Sequence, residues 1–85
     1  MNDTMCALTF FSQQECGETD RVRTWLDAEQ IAYREIDASA SEENARLLLA
    51  TGSFIAPMCI CGPIRVVGFR PQALAAFHER CSHVG

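Results

Sequence analysis

The chain has 85 residues, 48% of them hydrophobic, and a net charge of -4. That length accommodates one small domain over residues 1-85, which buries only about two-thirds of its unfolded surface. The composition excludes a disordered chain; all seven basic residues are arginine with no basic run suited to nucleic acid, and no apolar stretch is long enough to span a membrane.

Met1-Asn2-Asp3-Thr4 carries no positive charge on its side chains, and the apolar run after it is short, so it does not read as a signal peptide. The chain is therefore expected in the cytoplasm, where thiols are kept reduced. Its five cysteines then read as redox or metal chemistry, or as buried small hydrophobes, rather than as a disulfide scaffold. The odd count points the same way.

Met5 to Phe11 is an apolar run that suits a buried strand and ends at Ser12-Gln13-Gln14-Glu15. Gly17 to Gln30 reads as a helix, with Val22, Trp25 and Leu26 on its buried face and Arg21, Arg23, Asp27 and Glu29 on its wet one. Ala32 to Asp37 reads as a second strand. Ser39 and Glu42 have capping-box spacing and open a second helix, whose apolar stripe is Ala45, Leu48 and Leu49. Met58 to Cys61 and Ile64 to Val67 form a hairpin about the Gly62-Pro63 turn. Pro71 suits the first position of a last helix, in which Leu74, Phe77, His78 and Cys81 recur at helical spacing. The order β-α-β-α-β-β-α implies one mixed four-stranded sheet with helices on both faces, an α/β arrangement of the thioredoxin-like kind.

Cys16 stands where the first strand hands over to the first helix. Unpaired backbone N–H groups and the positive end of the helix dipole favour a thiolate there. Thiols so placed have pKa values of roughly 3.5–7.5. Thr19, one helical turn on, has a hydroxyl that could donate to the sulfur, whereas Glu15 acts against the thiolate. Position alone leaves two readings open, a reactive thiol and a cysteine that merely falls in a loop.

Cys59 and Cys61 lie two apart on one strand and share a face, too far from each other for an easy disulfide. They read as a buried core pair, with a resolving thiol or metal ligands as the alternative. No four-ligand zinc spacing is present. Cys6 shares a face with Leu8 and Phe10 and reads as core. Cys81 either packs in its helix stripe or is an exposed terminal thiol that glutathionylates or dimerises. His78 reads as a boundary residue and His83 as part of the tail.

Phe10 to Thr19 resembles the first strand and active-site loop of glutaredoxins, with the usual Cys-x-x-Cys replaced by Cys16-Gly17-Glu18-Thr19. Ile31 to Asp37 resembles the second strand of that family, and Thr51 to Pro57 the segment leading to its cis-proline. Gly68-Phe69-Arg70-Pro71, followed by Gln72-Ala73-Leu74, resembles an element of the NrdH redoxins, which deliver electrons to ribonucleotide reductase. The resemblance makes Cys16 the nucleophile and Pro57 a cis-proline. It has the Ala56 backbone pair with an incoming thiol peptide, and Gly68, Phe69 and Arg70 shape the rest of the groove.

The chain departs from the family pattern in three respects. Thr19 replaces the resolving cysteine, so either a thiol from elsewhere releases the product or the protein does not turn over. Gln13, Asn44 and Arg70 occupy the polar positions of glutathione-using relatives, where a lysine is usual first and an acid last. Val66 stands where NrdH proteins carry tryptophan.

The resemblance thus implies a monomeric thiol–disulfide oxidoreductase with no bound cofactor and glutathione as a candidate co-substrate. Its partners are a disulfide-containing protein, with ribonucleotide reductase the candidate, and thioredoxin reductase or glutathione as reductant. A non-turnover binding protein of the same fold is the alternative. An iron–sulfur carrier is a lesser one, because the glycine-phenylalanine-serine usual after the cysteine is absent. An arsenate-reductase-like reading is weaker still, because the chain has no room for that family's added helical insert.

Overall fold

The computed structural model describes residues 8–82. The strand residues expected before Leu8, together with Cys6 and His83, lie outside the described residues. Within them the chain runs β1 (Thr9–Ser12), α1 (Gly17–Ala28), β2 (Arg34–Asp37), α2 (Glu42–Ala50), β3 (Met58–Cys61), β4 (Ile64–Val67) and α3 (Pro71–Ser82). The sheet order is β2-β1-β3-β4. β1 runs parallel to β2 and antiparallel to β3, and β3 and β4 form the hairpin. This is the mixed sheet and element order expected from the sequence.

The period of two along β1 divides the core. Phe10 packs with Val22, Leu26, Leu74, Phe77 and Cys59. Phe11, pointing to the other face, packs with Leu48 and Met58. One face is thus covered by α1 and α3 and the other by α2. Phe10 and Leu26 are wholly buried, and each contributes about 1.5–3 kcal/mol by leaving water.

Helix ends follow local chemistry. The α1 terminus is a Schellman motif: the Ile31 N–H donates to the Leu26 carbonyl and the Gln30 N–H to that of Asp27. Gln30 takes the left-handed conformation there, at φ 57°, where glycine is usual. The α2 N-cap is Ser41, whose hydroxyl accepts the Asn44 N–H at 3.0 Å. This corrects the capping-box reading of Ser39. The Ser39 hydroxyl instead donates to the Asp37 carboxylate at 2.6 Å and accepts the Gln14 N–H.

Three further expectations are corrected. Leu49 is 56% exposed, because the short α2 offers only a narrow buried stripe around Leu48. Arg23 is not simply on the wet face: its guanidinium makes a two-pronged contact with Glu35 and lies over the Phe10 ring. Cys61 and Cys81 form a disulfide that ties β3 to α3 across a Cα–Cα distance of 6.3 Å. Both are buried, so Cys81 is not an exposed terminal thiol and Cys61 is more than a packing residue. The pairing requires α3 to lie back on the strand face that Cys59 and Cys61 share.

Candidate functional site

The register that sets Phe11 opposite Met58 brings the segment after β1 and the segment before β3 to one end of the sheet. Cys16 emerges there as the N-cap of α1, with extended backbone angles, and its Sγ accepts the Thr19 N–H at 3.4 Å. The preceding residue, Glu15, sits at φ 52°. A left-handed non-glycine residue costs of order 1 kcal/mol and persists where the surroundings hold it. Here the Gln14 N–H, anchored on Ser39 at 3.0 Å, holds the turn.

The Thr19 side chain, the Gln13 side chain and the Thr19 N–H, in that order, lower the Cys16 pKa. Desolvation opposes them, and the Glu18 N–H adds a lesser lowering effect. The Thr19 hydroxyl is buried and completes no hydrogen bond among the described residues. A buried donor left so is worth about 1–3 kcal/mol of penalty. Ionisation of the neighbouring sulfur supplies an acceptor.

The facing segment carries the Ala56–Pro57 bond, which is cis, the conformation the resemblance implied. The Pro57 carbonyl accepts the Gly68 N–H at 2.7 Å. Gly68 has φ 81°, a conformation that glycine adopts without steric cost. The next N–H, that of Phe69, donates to Glu18 Oε2 at 2.8 Å. Gln13 and Ala56 line a cavity of about 260 Å³ together with Ala38, Ser39, Leu48 and Phe54. A larger groove, about 430 Å³, runs along α1 between Trp25 and Phe69 and does not include Cys16.

Not every expected site residue converges. The Asn44 amide donates to the Asp37 carbonyl at 2.9 Å and so serves the β2–α2 turn. Arg70 is exposed at the start of α3, where its carbonyl accepts the Leu74 N–H. Glu18 was not among the expected site residues. An acid in a first helical turn is ordinarily accounted for by the dipole, and its partner lies 51 residues away.

Cys59 is a free thiol, but burial pushes its pKa up to about 12. Cys16 is therefore the one free thiol among the described residues that is both partly exposed and favoured as a thiolate. No second reduced thiol stands beside it among them. Nor do three His, Cys, Asp or Glu side chains gather there in a way that could hold a metal ion.

No protein-family model matches the chain. It is 29% identical over 68 residues to the glutaredoxin-like protein NrdH of Lactococcus lactis subsp. cremoris (strain MG1363), covering 80% of this chain and 94% of that protein. The corresponding protein of Lactococcus lactis subsp. lactis (strain IL1403) matches over the same extent at the same identity. Among solved structures, a glutaredoxin from Archaeoglobus fulgidus superposes with a TM-score of 0.73 at 20% identity, covering 88% of each chain. A buckwheat glutaredoxin–glutathione complex superposes with a TM-score of 0.65 at 22% identity, covering 96% of this chain and 84% of that one. The fold is the thioredoxin-like fold of glutaredoxins, and the similarity to the NrdH proteins supports a place among glutaredoxin-like proteins.

Proposed function

We propose that the chain is a thiol–disulfide redox protein of the glutaredoxin and NrdH kind, with Cys16 as its nucleophile. The observation that carries this is the Cys16 sulfur at the N-cap of a twelve-residue helix, accepting the Thr19 N–H, with its pKa lowered. The thiolate attacks one sulfur of a disulfide. A Cys16–substrate disulfide forms and the other sulfur leaves as a thiolate. The Ala56 backbone aligns the incoming chain beside Pro57, and Gln13 on one side and Gly68 and Phe69 on the other bound the groove, with Arg70 exposed beyond them.

Thr19 holds the place of a resolving thiol and cannot act as one. The mixed disulfide is therefore resolved by an external thiolate that attacks the Cys16 sulfur and releases the reduced substrate as a thiolate; a second external thiolate then takes the first one's sulfur in a disulfide and returns Cys16 to its reduced form. Glutathione is one candidate, and a protein thiol passed on from thioredoxin reductase is the other. Gln13 brings no charge to a carboxylate, and Asn44 is engaged by Asp37, which favours the protein thiol. Arg70 adds a cation where glutathione-using relatives carry an acid. A disulfide-bearing protein in the cytoplasm, with ribonucleotide reductase the candidate, is the substrate, and the chain acts as a monomer.

The test is reduction of a mixed disulfide, run in parallel with glutathione plus its reductase and with thioredoxin reductase. Activity with thioredoxin reductase, lost in Cys16→Ser, is the expected result. A Cys16 thiol with an ordinary pKa and no exchange toward any disulfide overturns the reading. If the wild type turns over in neither assay and Cys16→Ser binds a partner as tightly as the wild type does, the binding-protein reading replaces it.

A further inference from the structure

The geometry points to Glu18 as a positioning residue that locks the Gly68–Phe69 wall of the groove onto the helix that bears Cys16. Its carboxylate accepts the Phe69 N–H at 2.8 Å. It also lies so close over Gly68 that a Cβ there would stand 2.7 Å from Oε2. Gly68 is required for its backbone angle, at φ 81°, and a side chain there would push the carboxylate off its place against the Phe69 N–H. The Gly68 N–H in turn reaches the Pro57 carbonyl at 2.7 Å. Two consecutive amides thus point in different directions, one to the first turn of α1 and one to the segment before β3. Through them three elements distant in sequence are tied together at the first turn of the helix that Cys16 caps.

The clamp has a second consequence. Glu18 lies two residues after Cys16, and its own N–H favours the thiolate. Its negative charge, by contrast, is spent on the Phe69 amide on the far wall. A carboxylate can thus occupy the first turn of this helix while its charge is committed to a backbone donor. The same contact fills the Phe69 N–H, so that donor is not offered to a carboxylate on an incoming ligand.

This inference rests on the proposed thiol–disulfide exchange for its catalytic part, and the experiment separates the two. Wild type, Glu18→Ala and Glu18→Gln are compared as full chains by three measurements. These are exchange of the Phe69 amide hydrogen, the pH midpoint of Cys16 alkylation, and kcat and KM for a peptide disulfide. Glu18→Ala is expected to lose about tenfold of Phe69 protection and to raise KM about fivefold at unchanged kcat. The alkylation midpoint stays in place in both variants. Glu18→Gln, which keeps an acceptor oxygen, recovers most of the protection and of KM. Unchanged Phe69 protection in Glu18→Ala overturns the clamp. So does a downward shift of the alkylation midpoint in both variants, which would show that the charge acts on the sulfur. If the clamp is present but KM does not move, the positioning role is overturned while the exchange reaction stands. If the wild type exchanges with no disulfide, the functional reading falls, and the positioning role falls with it.

Discussion

The Cys61–Cys81 bond should account for a large part of the stability of this chain. It spans a sequence separation of 20, and closing a loop of that length in the unfolded chain is worth about 3 kcal/mol on the chain-entropy account. A domain of this size has of order 5–15 kcal/mol in all. Reduction should therefore lower the midpoint of thermal unfolding by about 12–24 °C. The double variant Cys61→Ala with Cys81→Ala should lose more than reduction does. It also removes two sulfurs from positions only 1% and 4% exposed, at about 1 kcal/mol each. Urea unfolding of the wild type with and without dithiothreitol, beside the double variant, measures both quantities. Because β3 meets β1 with Ile60 opposite Thr9, Cys61 lies at the end of the sheet away from Cys16. The alkylation rate of Cys16 should accordingly be the same in all three samples. Equal unfolding midpoints with and without reductant, once peptide mapping shows that the reductant has opened the bond, would refute the argument.

The Thr19 hydroxyl can be tested by Thr19→Val, which keeps the shape and removes the donor. Since that hydroxyl has no partner in the resting structure, stability with the Cys16 thiol protonated should hold or rise, by up to about 1–3 kcal/mol, while the pH midpoint of Cys16 alkylation moves up. A fixed midpoint would show that the Gln13 side chain and the backbone N–H groups favour the thiolate without it. Gln30→Gly places the usual residue in the left-handed position of the α1 terminus, at φ 57°, and should raise stability by about 0.5–1 kcal/mol in urea unfolding. Cys59, with its pKa raised from 9.0 to about 12, should stay unlabelled by iodoacetamide at neutral pH while Cys16 reacts, as read by peptide mapping. Because the raised pKa belongs to the folded state, its contribution to stability is fully present below pH 9.0 and is lost as pH rises toward about 12. Unfolding followed across that alkaline range, in wild type and Cys59→Ala, checks the sign.

Much of the fold follows from short-range regularities that a sequence carries openly. The turn at Gly62-Pro63 between two β-rich runs sets both strands of the hairpin, and their observed bounds are the expected ones. Pro71 starts α3 as its fixed φ suggests. Cys16 reads as a helix-start thiol because the strand before it and the helical period after it meet there. Short-range cues also mislead where two residues compete for one role. Ser39 and Ser41 are both plausible caps, and Ser41 is the cap because Asp37 and Gln14 engage the Ser39 hydroxyl. Leu49 belongs to the α2 stripe by spacing, yet nothing large packs over that part of the helix.

The contacts that complete the site are of another kind. Glu18 meets Phe69 across 51 residues, and Cys61 meets Cys81 across 20. Neither pair has a local signature, because each depends on how α1 and α3 lie against the sheet. Backbone propensity, capping and the alternation of side chains act within a few residues, so they determine which elements form and where a reactive thiol stands. The partners of that thiol's surroundings, and the fate of Cys59, Cys61 and Cys81, are set by packing between elements. That is why the five cysteines seen at the outset pointed to redox chemistry without revealing that one pair among them is a buried bond.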